Sequence, residues 1–163
     1  GALQWRSVTS SQDGSLTKVL LYVRNTIAQT NSIVVLIPSL EEQIALTLVR
    51  ATDGARISHS ALGRTVGEPM PSDANFMEMA LRDSRVRSRQ RILTNTDRAP
   101  TGNFEVMDMF VIDRPGIYKL EVQQRIFLRR QGGKLESLML PSVILPIDIR
   151  LEDIERRRQS TKR

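Results

Sequence analysis

Residues 115–129 read PGIYKLEVQQRIFLR, and this stretch decides the fold of the chain. After the Pro-Gly pair, apolar and polar side chains alternate with the two-residue period of a β-strand. The apolar side comprises Tyr118, Leu120, Val122, Ile126 and Leu128, and the opposite side comprises Lys119, Glu121, Gln123, Arg125 and Arg129. Such a strand predicts a sheet with one face packed against a core.

Two earlier segments predict further strands. Residues 16–24 are apolar on both faces, which suits a central strand, and residues 43–51 alternate between an apolar and a mixed face. Asp53 and Gly54 follow at once, and such a pair supplies the positive φ that a tight hairpin turn requires. We therefore expect residues 56–59 to return as the next strand.

Two later segments complete the predicted β-structure. Residues 104–112 alternate, and Asp108 falls on their apolar face, where it would need an arginine or a backbone group as partner. Residues 138–151 form the last predicted strand, in which Pro141 and Pro146 withhold two hydrogen-bond donors. We expect this strand at a sheet edge or with a bulge.

One stretch departs from the strand pattern. Residues 63–71 are rich in glycine and proline and predict a loop, and residues 72–82 carry apolar side chains at helical spacing. Strands that return through turns, without regular alternation with helices, indicate an antiparallel sandwich. The sequence thus predicts an all-β fold, an antiparallel β-sandwich of about seven strands with one short inserted helix. This single domain spans residues 1–150, and residues 151–163 form a basic tail or short helix.

Two motifs carry a family resemblance. Residues 20–57 resemble the opening of many immunoglobulin-like bacterial β-sandwich domains, and residues 115–122, PGIYKLEV, look like the PG-x-Y-x-x-x-V entry to a late strand of that class. The resemblance implies an immunoglobulin-like sandwich and an exported bacterial protein, periplasmic or extracellular. It also implies that Tyr118 makes a corner, its hydroxyl binding backbone upstream. Gly116 is expected to take a backbone conformation closed to other residues.

Positive charge is confined to two parts of the sequence. The 163 residues include 24 Lys and Arg against 18 Asp and Glu, a net charge of +6. Residues 82–98 carry a net charge of +4 and residues 150–163 a net charge of +3, so the remainder is close to neutral. Only these two patches therefore suggest an anionic partner.

Arginines at alternate positions mark the first patch. In a strand, Arg85, Arg87, Arg89 and Arg91 would project to one side, about 6 to 7 Å apart. Three interpretations fit this arginine ridge: an edge strand protected by charge against pairing with another chain, contact with a polyanion, or docking on an acidic protein surface. No aromatic residues are interleaved, so the ridge offers no stacking platform, and we expect no sequence-specific nucleic-acid recognition.

Few residue types in this chain support catalysis or metal binding. The chain has no cysteine and one histidine, which excludes thiol nucleophiles and leaves no cluster of the ligands that zinc requires. Ser58 and Ser60 flank His59, but neighbours on a strand point to opposite faces, so we expect a solvated histidine at a strand end. Asp108 fits a structural ion pair better than a general acid.

The sequence therefore predicts a non-catalytic binding or interaction module with no metal and no cofactor. The first alternative is a polyanion-binding domain that uses the arginine ridge, and the second is a hydrolase built on two carboxylates. The partner is expected to be a protein or a polyanion, and no apolar run approaches the roughly 18 residues of a membrane-spanning helix. The candidate binding residues are Arg85, Arg87, Arg89 and Arg91, and the candidate structural residues are Tyr118, Asp108 and Gly116.

Overall fold

Two antiparallel β-sheets and three short helices make up the described part of the chain. The computed structural model describes residues 3–9, 17–25, 33–36, 44–67, 90–93, 98–130 and 135–162. The strands in these ranges are β1 (Leu3–Thr9), β2 (Lys18–Asn25), β3 (Ile33–Leu36), β4 (Ile44–Arg50), β5 (Gln90–Leu93), β6 (Arg98–Glu105), β7 (Gly116–Arg130), β8 (Leu135–Met139) and β9 (Val143–Ile149). The helices there are α1 (Ala61–Gly67), α2 (Val106–Met109) and α3 (Leu151–Thr161). The all-β class is confirmed, with more strands than the sequence predicted.

The first sheet has β2 at its centre, with β1 and β6 paired antiparallel to its two edges. Val19 and Leu21 are fully buried on one side of β2, whereas Leu20 and Tyr22 are half-buried on the other. The central position expected for residues 16–24 is therefore correct, although one face is better covered than the other.

Strand β7 organises the second sheet, because it pairs with four other strands. β4 and β9 pair with opposite edges of its first half, and β3 and β8 with opposite edges of its second half. β5 extends this sheet beyond β3, and every pair is antiparallel. Tyr118, Leu120, Val122 and Ile126 are fully buried, as the alternation predicted. Arg125, expected on the polar side, is buried as well.

One buried cluster of side chains joins the two sheets. Val19, Leu21 and Phe104 come from the first sheet, and Leu46 and Leu48 of β4 belong to the same cluster. Fully burying a side chain of this size stabilises the fold by roughly 1.5 to 3 kcal/mol. The helices contribute to the same cluster through Val66, Val106, Met107, Met109 and Ile154.

Residues 104–112 do not form one strand, so this prediction is wrong. β6 ends at Glu105, and α2 follows directly, with the Val106 N–H donating to the Thr17 carbonyl at 3.0 Å. The alternation failed here because Val106, Met107 and Met109 are all buried, which a helical turn in the core allows and a half-exposed strand does not. Asp108 therefore lies on a short helix, half-buried, rather than on a strand.

Residues 63–67 are helical, so the prediction of a loop there is also wrong. The Ser60 hydroxyl accepts a hydrogen bond from the Gly63 N–H at 3.0 Å and so caps the start of α1. A Cβ atom at Gly63 would lie 1.8 Å from the Met109 carbonyl oxygen. Glycine is therefore required at this position for the close contact with α2, rather than to break the helix. The helix predicted over residues 72–82 lies outside the described residues.

The predicted last strand is divided in two. β8 ends at Met139 and β9 begins at Val143, with Pro141 in the break. The Leu140 N–H donates to the Gln124 carbonyl at 2.8 Å and holds this break against β7. Among the described strands β9 pairs with β7 alone, so Pro146 lies in an edge strand, as predicted.

Helix α3 occupies most of the predicted tail and is fastened to the sheets. The Asp153 carboxylate accepts a hydrogen bond from the Arg150 N–H at 2.9 Å, which closes the first turn. Ile154 is buried in the core, whereas Leu151 is 54% exposed. Arg157 forms an ion pair with Asp108 and so links α3 to α2.

The start of β7 contains the two remaining structural candidates. Gly116 has a φ of +146°, a conformation that side-chain-bearing residues rarely adopt. Tyr118 is fully buried, and its hydroxyl donates to the Arg114 carbonyl at 2.6 Å. This is the contact expected of a corner tyrosine, and it ties the turn to the strand that follows.

Replacing Tyr118 with phenylalanine removes this hydrogen bond while the ring remains in the core. We expect Tyr118→Phe to lower the free energy of unfolding by about 1 kcal/mol, the net contribution of one buried hydrogen bond. Urea denaturation of the two proteins at the same pH measures the difference. An unchanged denaturation midpoint would mean that the hydroxyl has no structural role.

Candidate functional site

The candidate site forms where the chain covers the outer edge of β4. After the turn at Asp53 and Gly54, the Arg50 N–H donates to the Ala55 carbonyl at 2.8 Å, and the Ile57 N–H donates to the Leu48 carbonyl at 2.9 Å. The predicted hairpin turn is correct, and Gly54 has a φ of +70°. The predicted return strand is reduced to a short irregular segment, residues 55–59, paired with β4 through isolated bonds.

A second segment lies beside the first. The Val111 N–H donates to the Ser58 carbonyl at 2.9 Å, and the Ser60 N–H donates to the Met109 carbonyl at 2.9 Å. These bonds frame a bridge between His59 and Phe110. Two irregular segments therefore widen the sheet beyond β4, and Ser58 is exposed on the side away from the core.

His59 is buried, so the prediction of a solvated histidine is wrong. Its Nε2–H donates to the Leu46 carbonyl at 2.8 Å, and its ring lies 4.7 Å from that of Phe110, centroid to centroid. The imidazole satisfies a carbonyl on the edge of β4 that the irregular segment leaves without a backbone partner at this position. Its burial beside an exposed Ser58 keeps the two side chains on opposite faces, as the sequence predicted.

An open cavity of about 360 Å³ lies over this segment. The lining consists of Arg56, Ile57, Ser58, His59 and Arg64. Arg56, Ser58 and Arg64 are exposed, and neither arginine forms an ion pair with another described residue. Guanidinium groups bind carboxylates and phosphates through two parallel hydrogen bonds, so this cavity is suited to an anionic group.

Arg50, the last residue of β4, differs from the cavity arginines because it forms an ion pair within its own fold. Its guanidinium donates to the Asp53 carboxylate at 2.9 Å, and a hydrogen bond with the Tyr118 hydroxyl raises its pKa. The pKa of Asp53 is lowered, first because its carboxylate accepts a hydrogen bond from the Ala55 N–H and then because of Arg50. This pair closes the turn and leaves Arg56 and Arg64 as the cavity's cations.

None of the candidate residues whose side chains the structure describes lines this cavity. Arg85, Arg87 and Arg89 lie outside the described residues, and of Arg91 the structure describes the backbone position in β5. The Asp108 carboxylate forms an ion pair with Arg157. Gly116 and Tyr118 lie at the start of β7, and no contact described links them to the cavity.

Sequence reasoning missed Arg56 and Arg64. The Asp53-Gly54 turn carried a usable signal for Arg56, because its register places Arg56 opposite Val49, on the side away from the core. For Arg64 the sequence carried no such signal, because its position at the cavity depends on the close contact of Gly63 with α2.

Other kinds of site find no support in the part of the chain that is described. There, no group of three or more His, Asp or Glu side chains could hold a metal ion. None of the helices in these ranges is long and apolar enough to cross a membrane.

Comparison with known proteins gives no further guidance. No protein-family model, no curated protein and no solved structure matches this chain. Its function therefore has to be argued from its own geometry.

The hydrogen bond from His59 to the Leu46 carbonyl of β4 should contribute to the stability of the fold. We expect His59→Ala to lower the free energy of unfolding by about 2 kcal/mol, because it leaves the Leu46 carbonyl without its donor and opens a cavity beside Phe110. His59→Phe keeps the ring packing and loses only the donor, so it should cost less. Chemical denaturation ranks the three proteins, and equal stabilities of His59→Ala and the wild type would contradict this role.

The turn at Asp53 should make stability depend on pH. Because folding lowers the pKa of this carboxyl from its ordinary 3.8, it stabilises the fold above that pH and loses this effect as the pH falls through the folded-state value. Asp53→Asn should therefore be less stable than the wild type at pH 7, and the difference should shrink in acid. Thermal unfolding of both proteins, from pH 7 into acid, measures this difference in stability. Asp113→Asn, a change at an exposed acid, is the matched control.

Proposed function

We propose that this chain is a non-catalytic binding module that holds an anionic group of a partner protein in the cavity beside His59. The observation that carries the proposal is the pair of exposed arginines, Arg56 and Arg64, which line one cavity and have no acidic partner among the described residues. A cation without a partner in its own fold is free to form a charge-assisted hydrogen bond with a ligand.

The anion is proposed to be a protein carboxylate rather than a nucleic-acid phosphate. Binding of single strands relies on exposed aromatic rings on which bases stack. The rings of Phe104, Phe110, Tyr118 and Phe127 are buried, that of Tyr22 on β2 is half-buried, and none of these lines the cavity. This arrangement favours recognition of an acidic side chain over recognition of bases.

The geometry around His59 supports a binding role over an enzymatic one. His59 directs Nε2 at a backbone carbonyl, whereas Ser58 is exposed on the opposite face. Activation of a serine hydroxyl requires an imidazole nitrogen within hydrogen-bond reach of it. Asp108, the carboxylate considered for hydrolysis, is neutralised by Arg157.

The finer fold type and the cellular location belong to the same proposal. An immunoglobulin-like sandwich is supported by two antiparallel sheets with one buried cluster and by the Tyr118 hydroxyl bound to the Arg114 carbonyl. Interaction modules of this type suit export from a bacterial cell, periplasmic or extracellular, as the sequence resemblance implies.

Binding of an oligoglutamate peptide tests the proposed function. Fluorescence anisotropy should show that Arg56→Gln together with Arg64→Gln weakens binding at least about tenfold, because two charge-assisted contacts are lost. The matched control carries Arg114→Gln and Arg156→Gln, which remove the same charge from exposed positions outside the cavity, and it should bind like the wild type.

Heparin and single-stranded DNA provide the competing result. Binding of either probe in preference to oligoglutamate, insensitive to the cavity variants but lost with Arg87→Ser and Arg89→Ser, would replace the proposal with polyanion binding by the arginine ridge. Equal loss in the cavity variants and in the control pair would reduce the interaction to net charge.

A further inference from the structure

The outer face of the second sheet reaches well beyond the cavity, with which it shares only Arg56 and Ser58. We define the outer face as the side of β4, β7 and β9 opposite the buried cluster, widened by residues 55–59 and 110–113. On β7 it presents Lys119 and Glu121, which alternate with the buried Tyr118, Leu120 and Val122. The register joins β9 to one edge of β7 and β4 to the other.

Large apolar side chains remain exposed on this face. Ile144 on β9 is 64% exposed, Val111 is 62% exposed and Ile117 on β7 is 47% exposed. Pro146 is exposed two residues from Ile144 on β9. Val111 lies in the segment at the other margin of the outer face, beyond β4. No described segment covers these residues. Exposed apolar side chains on one surface are typical of protein contacts.

Two opposite charges, Lys119 and Glu121, lie at the centre of the outer face, which also carries Asp148 opposite Ile117 and Arg56 opposite Val49. Neither Lys119 nor Glu121 forms an ion pair with another described residue. The cross-strand neighbours of Lys119 are Val49 and Pro146, and those of Glu121 are Thr47 and Ile144, all uncharged. One cation and one anion therefore stand two residues apart on the same strand, about 7 Å from each other.

This arrangement is complementary to itself. A two-fold axis that lies in the interface and crosses β7 at Leu120 brings two outer faces together with their β7 strands antiparallel. Lys119 then faces Glu121 of the partner subunit, and the reciprocal pair forms by symmetry. The same rotation places Ile144 against Pro146 of the partner subunit, an apolar contact on one side of the charges.

We propose that the outer face is a homotypic interface through which two copies of this chain associate. The proposal goes beyond the anion-binding function, because it uses β7 and β9 and does not require Arg64. Five chain segments spaced about 4.8 Å apart give a face roughly 20 Å wide. The seven paired residues of β7 and β9, at about 3.4 Å each, make it roughly 24 Å long, so its area is roughly 500 Å². This is below the about 800 Å² per partner of a stable complex, so we expect the dimer to form at high concentration.

A reciprocal charge exchange tests the interface. Sedimentation equilibrium without any anionic probe, up to about 1 mM protein, compares the wild type with Lys119→Glu, with Glu121→Lys and with the protein that carries both changes. Each single change places like charges at both contacts and should weaken association at least about tenfold, whereas the double exchange restores opposite charges and should return it to within about threefold.

A second pair of variants tests the apolar contact between Ile144 and Pro146 of the partner subunit. Ile144→Ser should weaken association, and Leu151→Ser, a change at a similarly exposed residue on α3 outside the outer face, should not. Circular dichroism and the thermal midpoint establish that each variant is folded. A wild type that stays monomeric up to about 1 mM, insensitivity to Lys119→Glu or Ile144→Ser, or a double exchange that stays weakened would overturn the proposal.

The interface and the anion site can fail independently. Arg64→Gln should leave self-association unchanged, because Arg64 lies on α1 and not on the outer face. Loss of self-association in that variant would mean that the cavity, rather than the outer face, joins the two copies. Loss of oligoglutamate binding with dimerisation intact would remove the proposed function alone.

Discussion

Backbone pairing along both edges of β7 is the constraint on which the rest of the structure depends. Fifteen residues of one strand hold four partner strands, so the second sheet exists only while β7 stays extended and in register. Because its N–H and C=O groups are satisfied in the sheet, its two faces are free to differ. One face anchors the core through Tyr118 and Leu120, and the other presents Lys119 and Glu121 to solvent.

Protection of the β4 edge explains why the cavity lies where it does. An open strand edge presents unpaired backbone groups, and proteins usually cover such edges. Here residues 55–59 cover it irregularly, so a backbone bond reaches the Leu48 carbonyl while the His59 side chain serves the Leu46 carbonyl. The chain then continues into α1, and this helix can lie against α2 because Gly63 has no side chain. The cavity lies between residues 56–59 and Arg64 of α1.

Four arginines of the described structure differ in what they contact. Arg50 with Asp53, and Arg157 with Asp108, join neighbouring elements and leave little charge available to a ligand. Arg56 and Arg64 form no ion pair with another described residue. Exposed ion pairs contribute little stability, about 0 to 1 kcal/mol, so the paired arginines mainly fix geometry. The proposed function rests on this difference, which net charge alone does not reveal.

The sequence by itself determined the strands that a local period can report. The alternation over residues 43–51 and 115–129, the Asp53-Gly54 turn and the edge position of Pro146 all follow from side-chain direction and backbone chemistry within a few residues. The tertiary structure alone decided that His59 is buried, that Gly63 lies inside a helix and that Arg56 and Arg64 line one cavity. These features depend on distant backbone carbonyls: that of Leu46 lies 13 residues from His59, and that of Asp108, which accepts a hydrogen bond from the Ser60 hydroxyl, lies 48 residues from Ser60. Periodicity records which way a side chain points from its own backbone, and it carries no information on which distant carbonyl needs a donor.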